Sequence, residues 1–236
     1  FDLCRSLGLE LFQGYFFARP RIVAGQRISS DRLLTLRLVS ALNNPDLSLK
    51  EVETLICRVP PLVQKLLKFI NSTHCGLRVE VDSIQRAIAM VGLRKMRTWA
   101  TLVSLAGMAD VSRELLVLAN VRARMCENLA RIGGESKTEL YFTVGLLSVL
   151  DVLAGRPMIE ILEELPLVNA IKTAILNREG ALGAALQVVL DYEAGRARTI
   201  AEGRLAQIAP RQLRQSYTDA MLWADTLFSG LAACAA

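Results

Sequence analysis

The sequence predicts an all-α fold, a bundle of roughly ten helices each buried along one stripe. Three observations carry this. Apolar residues recur at helical spacing from Ser30 onward. Serine, proline and glycine stand where helices begin and end. Outside residues 9–17, no segment alternates convincingly with period two.

In chain order, "GLELFQGYFFARP" comes first and is the exception. Residues 9–17 read as a strand, and a lone strand leaves its N–H and C=O groups unpaired. It is therefore expected to belong to a sheet outside this chain. "RIVAGQRISS" follows as a polar connector. The first helix runs from Ser30, with Leu34, Leu38 and Leu42 on one face, and Asn43-Asn44-Pro45 stops it. Ser48 and Glu51 then have the spacing of a capping box, with Leu47 and Val52 placed as a hydrophobic staple. Pro60-Pro61 open the next helix, whose apolar face is Leu62, Leu66, Phe69 and Ile70. Asp82 and Gln85 repeat the box spacing, and Gly92 closes that helix. Further helices are expected over 94–109, 113–132, 137–154, 158–164, 167–178, 181–194 and 211–229. Ser136 with Glu139 gives a third box, and Gly133, Gly155 and Gly180 punctuate the series.

With 52% hydrophobic and 22% charged residues, the chain is globular and can bury a core. Mean hydropathy is +0.34, which raises the question of a membrane. The longest charge-free runs, "TWATLVSLAGMA" and "LYFTVGLLSVL", fall well short of the ~18 residues a span needs. They read as buried core helices, and no membrane contact is expected. The net charge of +5 is spread along the chain, densest in "GLRKMRTW" and "VRARMCENLARIGG". The second reads as the solvated face of an amphipathic helix, and nucleic-acid contact is not expected. Five scattered cysteines with no CxxC fit reduced thiols in the cytoplasm.

Catalysis lacks its residues. The single histidine, His74, is followed by Cys75, so no His-Asp pair exists to build a metal site, and Ser-His-Asp chemistry is likewise missing. No cofactor is expected. Glu160 and Glu164 share a helix face that could ligate Mg²⁺ but read as solvated. The glycines in "ALGAAL" and "GLLSVL" point to close helix packing instead of phosphate binding. Trp99 and Trp223 read as core. Asn71-Ser72 reads as helix-end chemistry or, alternatively, as the lining of a groove.

The opening segment resembles the C-terminal end of EAL domains, the cyclic diguanylate phosphodiesterase family, through Gln13, Gly14, Tyr15, Phe16, Phe17 and Pro20. The remainder resembles the HDOD domain, a helical relative of His-Asp phosphohydrolases that lacks their metal ligands. "LSLKEVETLICRVPPLVQKLLKFINS", "VDSIQRAIAMVGLRKMRTWATL", "FTVGLLSVLDVLAGRPMIEILEELPL" and "AILNREGALGAALQVV" carry it. The resemblance implies an EAL remnant and connector over residues 1–27 and an HDOD helical domain over 28–236. It also implies a bacterial signalling protein whose phosphodiesterase motifs lie outside this sequence.

The expected function is a non-catalytic output module that passes a signal to a protein partner of unknown identity and works beside an EAL domain in the same parent chain. Homo-oligomerisation is left open. A partner groove is expected around Asn71, Ser72, His74, Arg94, Lys95 and Arg97. Two alternatives stand: a metal-dependent phosphohydrolase or phosphodiesterase, and a nucleotide-binding sensor using Arg94, Lys95, Arg97, Arg122 and Arg124. For the last, no tight site is expected.

Overall fold

The structure, a computed structural model, describes residues 30–72, 75, 79–108, 111–196 and 208–235. The expected strand over 9–17, the division after residue 27 and His74 lie outside them. Among the described residues the fold is helical, with a 3₁₀ turn at Cys75 and these α-helices: α1 Ser30–Leu42, α2 Leu49–Cys57, α3 Pro60–Ile70, α4 Ile84–Val91, α5 Leu93–Ala106 and α6 Arg113–Ile132, then α7 Thr138–Leu147, α8 Leu150–Ala154, α9 Met158–Glu164, α10 Asn169–Asn177, α11 Gly180–Glu193 and α12 Pro210–Ala235. None is long and apolar enough to cross a membrane.

Local chemistry sets most boundaries. The Ser48 capping box is complete: Ser48 Oγ accepts from the Glu51 N–H at 3.3 Å, and Glu51 accepts from the Ser48 N–H at 2.8 Å. The Ser48 hydroxyl also donates to the Glu51 carboxylate at 2.6 Å, and this bond first, then the one from the Ser48 N–H, holds the Glu51 carboxyl below its usual range. Pro60 opens α3, which buries Leu62, Leu66, Phe69 and Ile70 as expected. At α4 the cap is Ser83, not Asp82. Ser83 Oγ accepts from the Arg86 N–H, and Asp82 instead pairs with the Arg86 side chain at 3.5 Å. Two good capping residues stand side by side there, and the serine takes the position. The Ser136 box does not form; Lys137 precedes α7 with no side-chain cap.

The helix expected over 137–154 is two, α7 and α8. Ser148 causes the break. Its N–H and its hydroxyl both donate to the Gly145 carbonyl, which tightens the last turn of α7. In α1 the buried stripe is Leu36, Val39 and Leu42, while Leu34 is 61% exposed. α1 lies between two cores, Leu36 and Val39 entering one and Leu42 the other, so its inward face is rotated from a simple i, i+4 series.

The larger core joins α6 to α11 with Leu105 of α5 and parts of α1 and α12, and the smaller joins α2 to α5 with Leu42 and Leu227. Trp223 packs against both. α6 runs through the centre, against α5, α7, α11 and α12. Its contact with α7 is close because of Gly145, where an added Cβ would lie 2.6 Å from Ala123 Cα. Gly183 is similar, its Cβ position 2.2 Å from the Arg178 carbonyl carbon. Gly145 thus serves helix packing, as the sequence implied, whereas Gly183 makes room for the tight turn at Arg178 between α10 and α11.

Candidate functional site

A recess of about 540 Å³ opens where the two cores meet. The α1–α2 connector, α5, α6, α7 and Trp223 of α12 line it. α5 supplies Arg94, Lys95 and Arg97 from its first turns. α6 supplies Arg124, Glu127 and Arg131, whose i, i+3, i+7 spacing puts them on one face. Glu139, on the first turn of α7, is the second carboxylate.

Glu127 organises the floor. Its side chain is only 5% exposed and accepts from Arg124 at 2.6 Å, Arg94 at 3.4 Å and Arg131. A buried carboxylate needs such partners, since an unpaired one is very costly. Three guanidiniums around one carboxylate nevertheless leave a surplus of positive charge. Burial lowers the Arg131 pKa first of all; Glu127 opposes this, and Arg124 and Arg94 add to the lowering. Arg97 is also pushed down by burial, with Glu139 opposing. Its Nη2 donates to the Leu47 carbonyl, while its Nε is buried without a hydrogen-bond partner. Lys95 is exposed and makes no ion pair among the described residues.

The wall is aromatic. Trp99 meets Phe69 edge-on at 5.2 Å, and Trp223 meets Phe142 edge-on at 6.0 Å. The Arg124 guanidinium lies 5.4 Å from the Trp223 ring centroid, within cation–π range. Both tryptophans are half-buried, so they are core residues that also present a face to the recess.

Of the expected groove, the structure brings Arg94, Lys95 and Arg97 together and leaves Asn71 and Ser72 out. Asn71 is spent on its own loop: its Nδ2 donates to the Val81 carbonyl and its Oδ1 accepts from the Val81 N–H, both at 2.8 Å. Ser72 Oγ donates to the Phe69 carbonyl at 2.6 Å, as helix-end chemistry does. His74 lies outside the described residues.

Arg122 is not in the recess either. It is 5% exposed, gripped by Glu193 at 2.8 Å, and it donates to Ser148 Oγ. The expected solvated face of "VRARMCENLARIGG" is therefore corrected: α6 is the central helix, and pairing allows its charges to be buried. Glu160 and Glu164 both pair with Arg156, at 3.0 and 2.9 Å. No group of three or more His, Cys, Asp or Glu suited to a metal ion occurs among the described residues. Sequence reasoning missed Glu127, Arg131 and Glu139. The spacing of Arg124, Glu127 and Arg131 was the available signal. What the recess offers chemically is a set of cationic donors against an aromatic wall, an arrangement suited to holding an anion.

Comparison with known proteins places the chain. The HDOD domain family matches residues 31–166. YuxH of Bacillus subtilis (strain 168), an uncharacterized protein, is 31% identical over 93% of this chain and 54% of its own length. The cyclic di-GMP phosphodiesterase CdgJ of Vibrio cholerae is 31% identical over 82% of this chain and 45% of its own length. The chain thus spans about half the length of the curated relatives it matches. Two solved structures share the fold. One, from Marinobacter aquaeolei VT8 and described as a candidate signal transduction protein, has TM-score 0.62 at 13% identity, covering 100% of this chain and 65% of that one. The other, from Shewanella amazonensis SB2B and described as a candidate phosphohydrolase, has TM-score 0.55 at 16% identity, covering 85% and 94%. The chain belongs to the HDOD domain family.

Proposed function

We propose that this chain is the non-catalytic output module of an EAL-HDOD signalling protein, acting by recognition in the recess between its two cores and passing a signal to a protein partner in the cytoplasm. The observation that carries this reading is the state of Glu127. The buried carboxylate of the recess is taken up by three guanidiniums, so it is not available as a base or a metal ligand. The surrounding groups are donors that bind. The single histidine of the sequence supports the same reading. The location of the recess supports a relay, because a ligand there touches both cores at once. The link to cyclic diguanylate signalling draws on CdgJ, a relative named for that activity, and on the EAL-like Gln13 to Pro20 segment. Phosphodiesterase activity then belongs to the EAL part of the parent protein.

The test is turnover. The purified chain is incubated with cyclic diguanylate and with a generic phosphodiester, with Mg²⁺ or Mn²⁺ added. No product above the buffer blank is expected. Turnover that a chelator abolishes, with stoichiometric metal in the protein, would favour the phosphohydrolase reading instead. The EAL assignment is checked separately by the sequence immediately upstream, which should carry the barrel's metal carboxylates.

A further inference from the structure

We propose that the recess binds a purine nucleotide, its phosphate held by Lys95 and Arg97 and its ring set against Trp99 and Trp223. This deepens the recognition reading above and rests on it. Four observations converge. First, five cations line the recess against two carboxylates, and Glu127 is already occupied. The cavity is therefore built for an anion. Second, Arg97 Nε is a buried donor without a partner, and Lys95 makes no ion pair among the described residues. The Arg97 side chain as a whole is only part-buried, so its guanidinium can present a donor to a phosphate in the recess. Third, Arg94 and Lys95 occupy the first turn of α5, which has no acidic residue and no side-chain cap. Cations are disfavoured at the positive end of a helix, and a bound anion offsets that. Fourth, two half-buried indoles flank the charges, and rings stack on such faces while their phosphates pair with the cations. The volume of about 540 Å³ lies in the range of small-molecule pockets and suits a mononucleotide. Exposed Glu139, with no ion pair among the described residues, can accept from the N–H edge of guanine. The proposal departs from the sequence expectation of no tight site, because helices distant in sequence contribute the cations together.

Calorimetric titration of the chain with guanosine monophosphate tests it, run beside guanosine and inorganic phosphate at low and moderate salt. The expected result is one saturable site, bound about tenfold more tightly than either fragment. Affinity should fall as salt rises. Lys95→Gln, an exposed and unpaired position, should weaken binding several-fold with an unchanged melting temperature. Arg97→Gln should weaken it about tenfold, and Arg97→Lys should recover only part of that. No binding at millimolar nucleotide would overturn the proposal. So would guanosine or phosphate binding as tightly as the nucleotide, or Lys95→Gln and Arg97→Gln binding like the parent. Metal-dependent turnover is a separate readout. It would sink the recognition reading while leaving this titration as it stands, and a failed titration would leave the turnover result unaltered.

Discussion

Two charged constellations sit on α6 and are built in opposite ways. Arg122 is gripped by the Glu193 carboxylate. Its Nε lies 3.0 Å from each Glu193 oxygen, its Nη2 lies 2.8 Å from one of them, and Ser148 takes a further bond. The pair is closed, with side-chain exposures of 6% and 17%. Glu127 faces three guanidiniums, and their exposures run from 29% for Arg124 to 65% for Arg94. One site balances charge and excludes water. The other carries surplus charge and opens on a cavity. The lesson is that burial of charge alone does not mark a functional site: the balanced pair ties α6 to α7 and α11, and the unbalanced one is left with capacity to bind.

Mutations should break the two sites differently. The largest effect is expected at the closed pair. Glu193→Gln strands the Arg122 cation inside the bundle and should cost about 3–5 kcal/mol in urea denaturation. A loss under about 1 kcal/mol would mean the pair is not sealed. Glu127→Gln should cost less, about 1.5–3 kcal/mol, because its three arginines can turn to solvent. Equal losses at the two positions would erase the contrast.

The smallest intervention is chemical. Burial, aided by Glu193 and opposed by Arg122, pushes the Cys126 thiol up to about 12. A thiol alkylating reagent at mildly alkaline pH should therefore modify exposed Cys57 and spare Cys126 until the protein unfolds. The sign of the pH effect follows from the same burial. The folded thiol keeps its proton while the unfolded one ionises near 9, so stability from this group is whole below that value and declines as pH rises toward 12. Rapid labelling of Cys126 in the folded chain would show that the closed side admits water.

Much of the scaffold was legible in the sequence because it is local. The Ser48–Glu51 box, Pro60 and the span of α6 each depend on neighbours a few residues apart. The close approach at Gly145 was legible too, since a glycine within an apolar helix has few other uses. What periodicity could not supply was long-range pairing. Arg122 looked solvated because its partner, Glu193, lies 71 residues away. The site was half legible for the same reason. Arg94, Lys95 and Arg97 are clustered in the chain, whereas Arg124, Glu127 and Arg131 join them only when α6 packs beside α5. Asn71 and Ser72 make the helix-end and turn bonds that were one of their two expected readings, Asn71 to Val81 and Ser72 to Phe69, and residue type alone does not separate such bonds from a groove contact.

The chain's two tryptophans, Trp99 and Trp223, both line the recess, so intrinsic fluorescence reports directly on whether this is where the protein recognises its ligand. Adding guanosine monophosphate should change the emission along a saturable curve, and that curve should move to higher concentration in Lys95→Gln. Emission that stays constant through the titration, or that declines without saturation and identically in Lys95→Gln, would contradict the account.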